Sequence, residues 1–401
     1  MTHKDPIILA FSGGLDTSFC VPWLKETYGR PVITATVNTG GLDGVAATAL
    51  EQRALALGAA EHVLVEARDD FFDTVIRYLI MGNVRRGNLY PLCVGSERGL
   101  QAAQLAKLAV ARGSSTVAHG CTAAGNDQVR FEIALKTLAP DLETLAPVRD
   151  HAWARQDQLD FLSQRNLPPP PAGTDYSINR GLWGVTIGGT ETLDSKSSIP
   201  ESAWVLSSGA LTQPQPSSQL TVDFEKGVPV AVDGKPMEPV ALIENLERRG
   251  AQYAIGRGIH LGDTILGTKG RVAFEAPAAE ILLTAHRELE KLTLSQSQQR
   301  IKEGVAQSYG DMVHEGRQLD PACRDIEALL RSSQATVTGQ VHVTLGPGYL
   351  FVTGVESPHS LLAATRGTYG EAAGEWTAED AVGFSRILAL PGLLQSRARG
   401  Q

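Results

Sequence analysis

The chain has 401 residues, of which 42% are hydrophobic and 20% are charged, and its formal net charge is −8. This length predicts two or three domains with a sizeable core, and the acidic balance argues against a protein whose partner is DNA or tRNA. No apolar run approaches the roughly 20 residues that span a bilayer, and no signal peptide is apparent before Ile7, so we expect a cytoplasmic protein with no membrane partner.

Cysteine and histidine spacing argues against metal and disulfide chemistry. The four cysteines form no CxxC pair, which excludes a zinc knuckle or a disulfide framework and fits a reducing compartment. The histidines form no HxxxH or HxH cluster, so we expect no metal held by the protein alone. Cys20 and Cys121 lie beside glycine-rich turns with no neighbouring base, and we interpret both as packing residues.

The first half of the chain alternates strand and helix patterns. The predicted strands cover residues 7–11, 32–37, 62–66 and 116–119, and the predicted helices cover 18–28, 45–57, 69–81 and 97–112. This βαβ repetition predicts a parallel sheet with helices on both faces. Ligands of such folds bind at the carboxyl ends of the strands.

The proline run at residues 168–171, with Gly173, breaks this rhythm and predicts a domain boundary. Beyond it we predict strands over 220–224, 228–232 and 240–242, a helix over 280–295 continuing to Tyr309, a hairpin of 336–345 with 349–355, and a helical tail over 378–399 interrupted at Pro391-Gly392. We therefore expect an α/β protein with a nucleotide-binding domain over 1–167, an α+β substrate-binding and oligomerisation domain over 168–377, and a C-terminal helical oligomerisation tail over 378–401.

The stretch AFSGGLDTS, residues 10–18, connects the first predicted strand to the first helix. Its glycines allow backbone N–H groups to approach a ligand, its hydroxyls add donors, and a helix N-terminus favours an anion. The GxxxxGK[ST] spacing of the common phosphate loop is absent. The stretch resembles instead the PP-loop of ATP pyrophosphatases, which cleave ATP between its α and β phosphates, with Asp16 placing Mg²⁺ or orienting the loop. The alternative is a plain glycine-rich turn capped by Asp16.

A second block, HGCTAAGNDQVRFE at residues 119–132, combines a glycine-rich turn with Asn126, Asp127 and Arg130 at the start of a predicted helix. Alone it is compatible with a helix cap and a solvated ion pair. Together with the first loop and with YSINRGLWG at 176–184, it resembles the argininosuccinate synthase family over nearly the whole chain. The resemblance implies an AMP-forming carbon–nitrogen ligase of arginine biosynthesis that joins citrulline to aspartate, uses ATP with Mg²⁺ and assembles as a homotetramer.

The resemblance also implies which residues contact each substrate. ATP would contact Ala10, Phe11, Ser12, Gly13, Gly14, Leu15, Asp16, Thr17, Ser18, Val37, His119, Gly120 and Gly125. Aspartate would contact Thr122, Asn126 and Asp127, and citrulline would contact Tyr90, Ser96, Asn126, Arg130, Ser177 and Thr186. Asp16, Asn126, Asp127 and Arg130 would form the catalytic set by positioning the substrates, and we identify no dedicated general base. For His119, a supporting hydrogen-bond donor and a purely structural role both stay open.

The sequence departs from the family pattern in two places. The family's YLLGTS corresponds to Tyr90–Ser96, which is one residue longer, so Ser96 matches only with a slip. Within residues 260–277, Gly262 and Phe274 stand where the family has a glutamate and a tyrosine that contact citrulline. Either Asp263 supplies the missing carboxylate, or the substrate is an α-N-acylated citrulline, whose nitrogen needs no anionic partner.

Two other function classes are compatible with the first loop alone. A tRNA-thiolating or amidotransferase ligase would need a cysteine pair, a basic RNA-binding face or a glutaminase domain, and the sequence shows none. A non-catalytic adenine-nucleotide sensor would be expected to have lost Asp127 or Arg130, and both are present.

Overall fold

The computed structural model describes residues 5–169, 176–371 and 373–400, and the first part of the chain folds around a parallel sheet. Its strands are Ile7–Ala10 (β1), Val32–Asn38 (β2), Glu61–Glu66 (β3), Thr116–Ala118 (β4) and Glu143–Leu145 (β5). They lie in the order β3-β2-β1-β4-β5, and every neighbouring pair is parallel. β1, with the sequence IILA, is central and almost fully buried, as expected for a strand covered on both faces. The predicted parallel sheet is confirmed.

The helices of this part follow the predicted order, with additional short ones. They are Leu15–Tyr28 (α1), Gly44–Ala56 (α2), Arg68–Phe71 (α3), Arg77–Met81 (α4), Arg98–Ala111 (α5), Asn126–Leu138 (α6), Pro147–Asp150 (α7) and Arg155–Gln164 (α8). A π-helical segment, Phe72–Ile76, joins α3 to α4. Because β1 lies between β2 and β4, the loops after β1 and after β4 meet at one end of the sheet, where a crevice forms.

The second part of the chain contains two antiparallel sheets. Its strands are Ser177–Gly181 (β6), Gly184–Gly188 (β7), Ser218–Glu225 (β8), Val228–Val232 (β9), Lys235–Pro236 (β10), Arg257–Asp263 (β11), Lys269–Glu275 (β12), Gly339–Gly346 (β13) and Tyr349–Glu356 (β14). One sheet has the order β10-β9-β8-β13-β14 and the other β11-β12-β7-β6. β13 and β14 form the predicted hairpin.

The helices of the second part pack on these sheets or form the tail. They are Pro239–Ala251 (α9), Pro277–Thr293 (α10), Gln296–His314 (α11), Pro321–Ser333 (α12), Leu361–Ala364 (α13), Ala378–Leu388 (α14) and Leu390–Ala398 (α15). The largest core cluster includes fully buried residues of α10 and of β13. In the described part of the chain, no helix combines the length and the apolarity needed to cross a membrane.

Three sequence predictions for this part need correction or stay untested. The strand predicted over 240–242 is wrong: Val240 and Leu242 begin α9, whose buried positions recur at helical spacing through Leu246. The helix predicted to continue to Tyr309 is two helices, because Ser295 begins α11 with a capping box. The predicted boundary at the proline run falls mainly on residues 170–175, which lie outside the described residues.

Candidate functional site

The loop after β1 is held by its own hydroxyl groups and by an arginine from α2. The Ser12 and Thr17 hydroxyl oxygens lie 3.2 Å apart, and the Ser18 hydroxyl donates to the Gly13 carbonyl at 3.3 Å. Arg53 Nε donates to the same carbonyl at 3.1 Å and to Ser18 Oγ at 3.0 Å. Gly13 has a φ of +76°, a conformation that favours glycine. Arg53 cannot be identified from the sequence, because a lone arginine on a predicted helix carries no distinguishing signal.

A cavity of about 450 Å³ lies in front of this loop and extends to β6 in the second part of the chain. It brings together most of the residues predicted to contact ATP: Ala10, Phe11, Ser12, Gly14, Leu15, Asp16, Thr17, Val37, His119 and Gly120. Three other residues predicted to contact ATP do not line the cavity: Gly13, Ser18 and Gly125. Ser18 donates to the Gly13 carbonyl within the loop, and Gly125 is the N-cap residue of α6. The lining also includes the polar side chains of Glu97, Arg98, Gln101 and Asn179. The glycine-rich loop therefore shares one cavity with polar groups that can contact a second ligand.

Asp127, in the first turn of α6, is bound by two guanidinium groups, that of Arg98, which also lines the cavity, and that of Arg130, which is buried outside its lining. Arg98 Nε donates to one carboxylate oxygen at 2.9 Å, and Arg130 Nη1 donates to the other at 2.7 Å. Burial works against the charged form, but the two arginines outweigh it and hold the pKa of Asp127 at about 2. The cluster of Arg98, Asp127 and Arg130 thus has a net positive charge and suits a substrate carboxylate. An ammonium, the expected partner of Asp127, would have to compete with both guanidiniums.

Residues of α6 also contact the second part of the chain. Arg130 is buried, and its Nε donates to the His314 carbonyl at 2.8 Å. The Asn126 side-chain oxygen accepts a hydrogen bond of 2.9 Å from the backbone N–H of Ile265, in the turn between β11 and β12. Thr122 is exposed, and its carbonyl accepts from the Gly125 N–H at 3.3 Å. The second glycine turn and the β11–β12 hairpin therefore meet beside the cavity.

Glu97, immediately before α5, is a cavity residue that the sequence analysis missed. Its side chain is buried, and Oε2 accepts from Thr39 Oγ1 at 2.6 Å and from Gln101 Nε2 at 3.4 Å. Oε1 has no hydrogen-bond partner among the described residues. Burial raises the pKa of Glu97 to about 7. The only signal in the sequence is an acidic residue at a helix start, which is typical of an ordinary first-turn carboxylate.

His119, Cys20 and Cys121 are uncharged components of the cavity region. His119 stacks on Phe131 with ring centroids 5.5 Å apart, its Nδ1 lies 3.3 Å from the Cys121 N–H, and burial lowers its pKa to about 4. Burial raises the pKa of the Cys121 thiol to about 12 and that of Cys20 well above its usual range. Both cysteines are therefore protonated, in agreement with a packing role.

Several residues predicted to contact citrulline lie outside the described cavity lining. Tyr90 is buried, its hydroxyl donates to the Cys93 carbonyl at 2.5 Å, and its ring stacks on His260. Ser96 is fully buried, and its hydroxyl has no partner among the described residues. Ser177 begins β6, and Thr186 lies on β7 beside the bulky Phe274 of β12. The structure therefore does not bring these residues together with the nucleotide loop in one cavity.

The geometry of β11 argues against Asp263 as the replacement for the missing carboxylate. Successive residues of a strand point to opposite faces, so Asp263 lies on the face opposite to His260 and Gly262. Its carboxylate pairs with Lys269, and its side chain is 58% exposed. The His260 ring fills the space beside Gly262, since a Cβ there would lie 2.5 Å from His260 Nε2. Asp263 therefore does not supply a carboxylate beside Gly262, and the prediction that it contacts citrulline there is not supported by this geometry.

Comparison with known proteins agrees with the fold. The model of the "Arginosuccinate synthase N-terminal HUP domain" matches residues 6–168, and that of the "Arginosuccinate synthase C-terminal domain" matches residues 176–394. The argininosuccinate synthase of Xanthomonas campestris pv. campestris is 39% identical over 401 residues, covering 99% of each chain. The argininosuccinate synthase of Dictyoglomus turgidum is 35% identical over 400 residues, covering 100% of this chain and 99% of the other. The chain belongs to the argininosuccinate synthase family.

Proposed function

We propose that the chain catalyses the ATP-dependent joining of citrulline and aspartate to argininosuccinate, with release of AMP and pyrophosphate, in arginine biosynthesis. The observation that carries this proposal is the cavity whose lining combines the glycine- and hydroxyl-rich loop with Arg98 and Asp127, the carboxylate of which is also bound by the buried Arg130. The phosphates of ATP suit the glycine- and hydroxyl-rich loop, and amino-acid carboxylates suit the positively charged cluster. Family membership makes the chain an enzyme, and the substrates are inferred from the family name.

In the first step, the ureido oxygen of citrulline attacks the α-phosphorus of ATP, and the bond to the β-phosphate breaks. Pyrophosphate leaves, and the O-adenylated isourea loses one proton. The N-terminus of α1 and the loop hydroxyls would hold the departing phosphates. Mg²⁺ usually binds one or two carboxylates together with substrate phosphates, and Asp16 in this loop fits that role. The bound ion would offset phosphate charge.

In the second step, the amine of aspartate, after loss of its ammonium proton, attacks the activated carbon. The new carbon–nitrogen bond forms, and AMP leaves with the electron pair of the broken carbon–oxygen bond. Arg98, which lines the cavity, would bind an amino-acid carboxylate, and Arg130 would fix Asp127 from outside the lining and thereby help to orient the substrates. Asn126, which already contacts the β11–β12 hairpin, would lie between the two amino acids.

The test is pyrophosphate release from ATP by the purified full-length protein. Continuous release is expected only when citrulline and aspartate are both present, with argininosuccinate formed in equal amount. ATP binding without turnover under these conditions would favour the nucleotide sensor, and release that needs neither amino acid would contradict the ligase proposal.

We further propose a cytoplasmic homotetramer in which the tail makes subunit contacts. The support is the row of exposed apolar side chains on α14 and α15, among them Phe384, Ile387, Leu388 and Leu394. We keep the domain bounds 1–167, 168–377 and 378–401 as part of this proposal.

A further inference from the structure

The second step of the proposed reaction needs a group that takes the ammonium proton of aspartate. Among the described residues that line the cavity, four carry a carboxylate or an imidazole: Asp16, Glu97, His119 and Asp127. Asp16 belongs to the loop that we propose for the phosphates, and the pKa of Asp127 is about 2. Nδ1 of His119 accepts from the Cys121 N–H, so Nε2 of the neutral ring carries its proton and can only donate. Glu97 is therefore the candidate proton acceptor.

In the described part of the chain, no cationic side chain donates a hydrogen bond to the carboxylate of Glu97. Its Oε2 accepts from Thr39 Oγ1 at 2.6 Å and from Gln101 Nε2 at 3.4 Å. The nearest nitrogen of Arg98 is 4.0 Å away, and this guanidinium donates instead to Asp127 and Gln101. Burial, which Arg98 offsets only in part, raises the pKa of Glu97 to about 7. A carboxylate of this kind can gain a proton near neutral pH.

The hydroxyl group of Thr39 is oriented toward Glu97 by its other neighbour. Arg98 Nη1 donates to Gln101 Oε1 at 2.9 Å, and this contact directs Gln101 Nε2 to Thr39 Oγ1 at 3.2 Å. Because Thr39 Oγ1 accepts this hydrogen bond, its own proton is free to be donated to Glu97. A hydroxyl oxygen has two acceptor positions, and the second one of Thr39 has no donor among the described residues. A substrate N–H group can occupy it.

The fold places Thr39 between the cavity and the carboxylate. Thr39 directly follows β2, at the carboxyl end of the parallel sheet, and lines the cavity. Its carbonyl accepts from the Leu182 N–H, in the turn between β6 and β7, at 3.0 Å. Oε1 of Glu97 lies against the backbone of Gly181, which is not part of the cavity lining. A proton therefore reaches the carboxylate through Oε2 and the hydroxyl group of Thr39.

We propose that Thr39 and Glu97 form a proton relay that takes the ammonium proton of aspartate and so frees the amine to attack the adenylated carbon. This inference rests on the proposed function. The ammonium donates to Thr39 Oγ1, the hydroxyl proton of Thr39 passes to Glu97 Oε2, and the proton from nitrogen replaces it on Thr39. The ammonium thus loses one proton, and Glu97 becomes a neutral carboxylic acid. Glu97 returns this proton to solvent after AMP has left.

Charged and titratable groups act on Glu97 from several elements. Arg98 begins α5, Asp127 lies on α6, and Tyr90 and Cys93 lie in the segment before α5. Arg98 favours the ionised form of Glu97, whereas Asp127 and burial oppose it. The relay needs the ionised form, so the rate of the second step should fall as the pH decreases through about 7.

The test is a rapid-quench single turnover of the full-length protein with ATP, citrulline and aspartate. Pyrophosphate formation reports the first step, and AMP formation reports the second. In Glu97→Gln and in Thr39→Val, pyrophosphate should form at the unmodified rate, whereas AMP formation should slow by about a hundred-fold, within the usual range for general base catalysis. Thr39→Ser keeps the hydroxyl group and should restore most of the rate. The matched control is Glu66→Gln, because Glu66 is an exposed carboxylate on β3 that contacts Asn38 and does not line the cavity.

The pH profile separates a proton relay from a purely structural role. In the unmodified protein, AMP formation should lose rate as the pH falls through about 7. In Glu97→Gln this dependence should be replaced by a rate that keeps rising with pH, because solvent must then take the ammonium proton. Equal slowing of pyrophosphate and AMP formation, an unchanged AMP rate in either variant, or an inactive Thr39→Ser would overturn the proposal. Failure of the proposed function is distinguishable, because the unmodified enzyme would then form no argininosuccinate.

Discussion

Replacing the buried Glu97 by glutamine should change how stability depends on pH. The Glu97 residue is 1% exposed, and burial raises its pKa from 4.5 to about 7. Below pH 4.5 the carboxyl is protonated in both the folded and the unfolded chain, and its burial carries no ionisation cost. Above pH 7 it is ionised in both states, and the cost is complete. At about 1.4 kcal/mol per pKa unit, this cost is about 3 kcal/mol.

Glutamine has no proton to lose. The stability of Glu97→Gln relative to the unmodified protein should therefore rise by about 2–3 kcal/mol as the pH is raised from 5 to 8. For a chain of 401 residues, this corresponds to about 3 °C in the unfolding midpoint. This change in the difference between the two midpoints is measured by differential scanning calorimetry of both proteins at pH 5 and at pH 8. Effects of the substitution that do not depend on pH cancel when the two pH values are compared. Identical pH dependence in the two proteins would refute the buried, ionisable carboxylate, and Glu66→Gln serves as the exposed control.

Three further predictions concern the loop, β6 and the tail. Arg53→Ala should raise KM for ATP about ten-fold without a matching change for the amino acids, because the loop carbonyl of Gly13 loses its charged donor; an unchanged ATP titration would exclude this positioning role. Gly181→Ala should destabilise the protein by about 1–3 kcal/mol, and clearly less in a Glu97→Ala background, since the clash is with that side chain; additive effects in denaturant titrations would contradict the contact. Deletion from Asp380 onward should reduce the assembled mass in light scattering, because it removes most of the exposed apolar tail; an unchanged mass would end the proposed role of the tail.

The sequence predicts the nucleotide half of the fold well because its signals are local. The strand IILA, the glycine-rich loop and the helix after it are contiguous, and each is recognisable from its own residues. The strand expected at Val240 fails because three apolar residues are too short a window to separate a strand from the first turn of a helix. The capping box that begins at Ser295 is visible in the sequence and marks the start of a second helix. It divides an amphipathic helical pattern that otherwise looks continuous.

The part of the cavity that we propose for the amino acids is harder to predict because its properties arise from contacts between distant residues. Asp127 acquires its two guanidinium partners from positions 29 residues before it and three residues after it. Glu97 becomes unusual only because Thr39 and Gly181, far away in sequence, pack against it. The direction of Asp263 follows from the register of β11 with β12, which no local pattern specifies.

The contact between Asn126 and the Ile265 backbone places the boundary of the cavity at a junction of the two parts of the chain. The glycine-rich loop that we propose for the ATP phosphates lies within residues 10–18, whereas β6 and the β11–β12 hairpin come from the second part. Under the proposed function, the segments that contact the nucleotide and the amino acids would therefore be separate in sequence. Substitutions on the hairpin or at the end of β6 would then change which amino acid is accepted while the glycine-rich loop is unaltered, and the family could diverge in one substrate at a time.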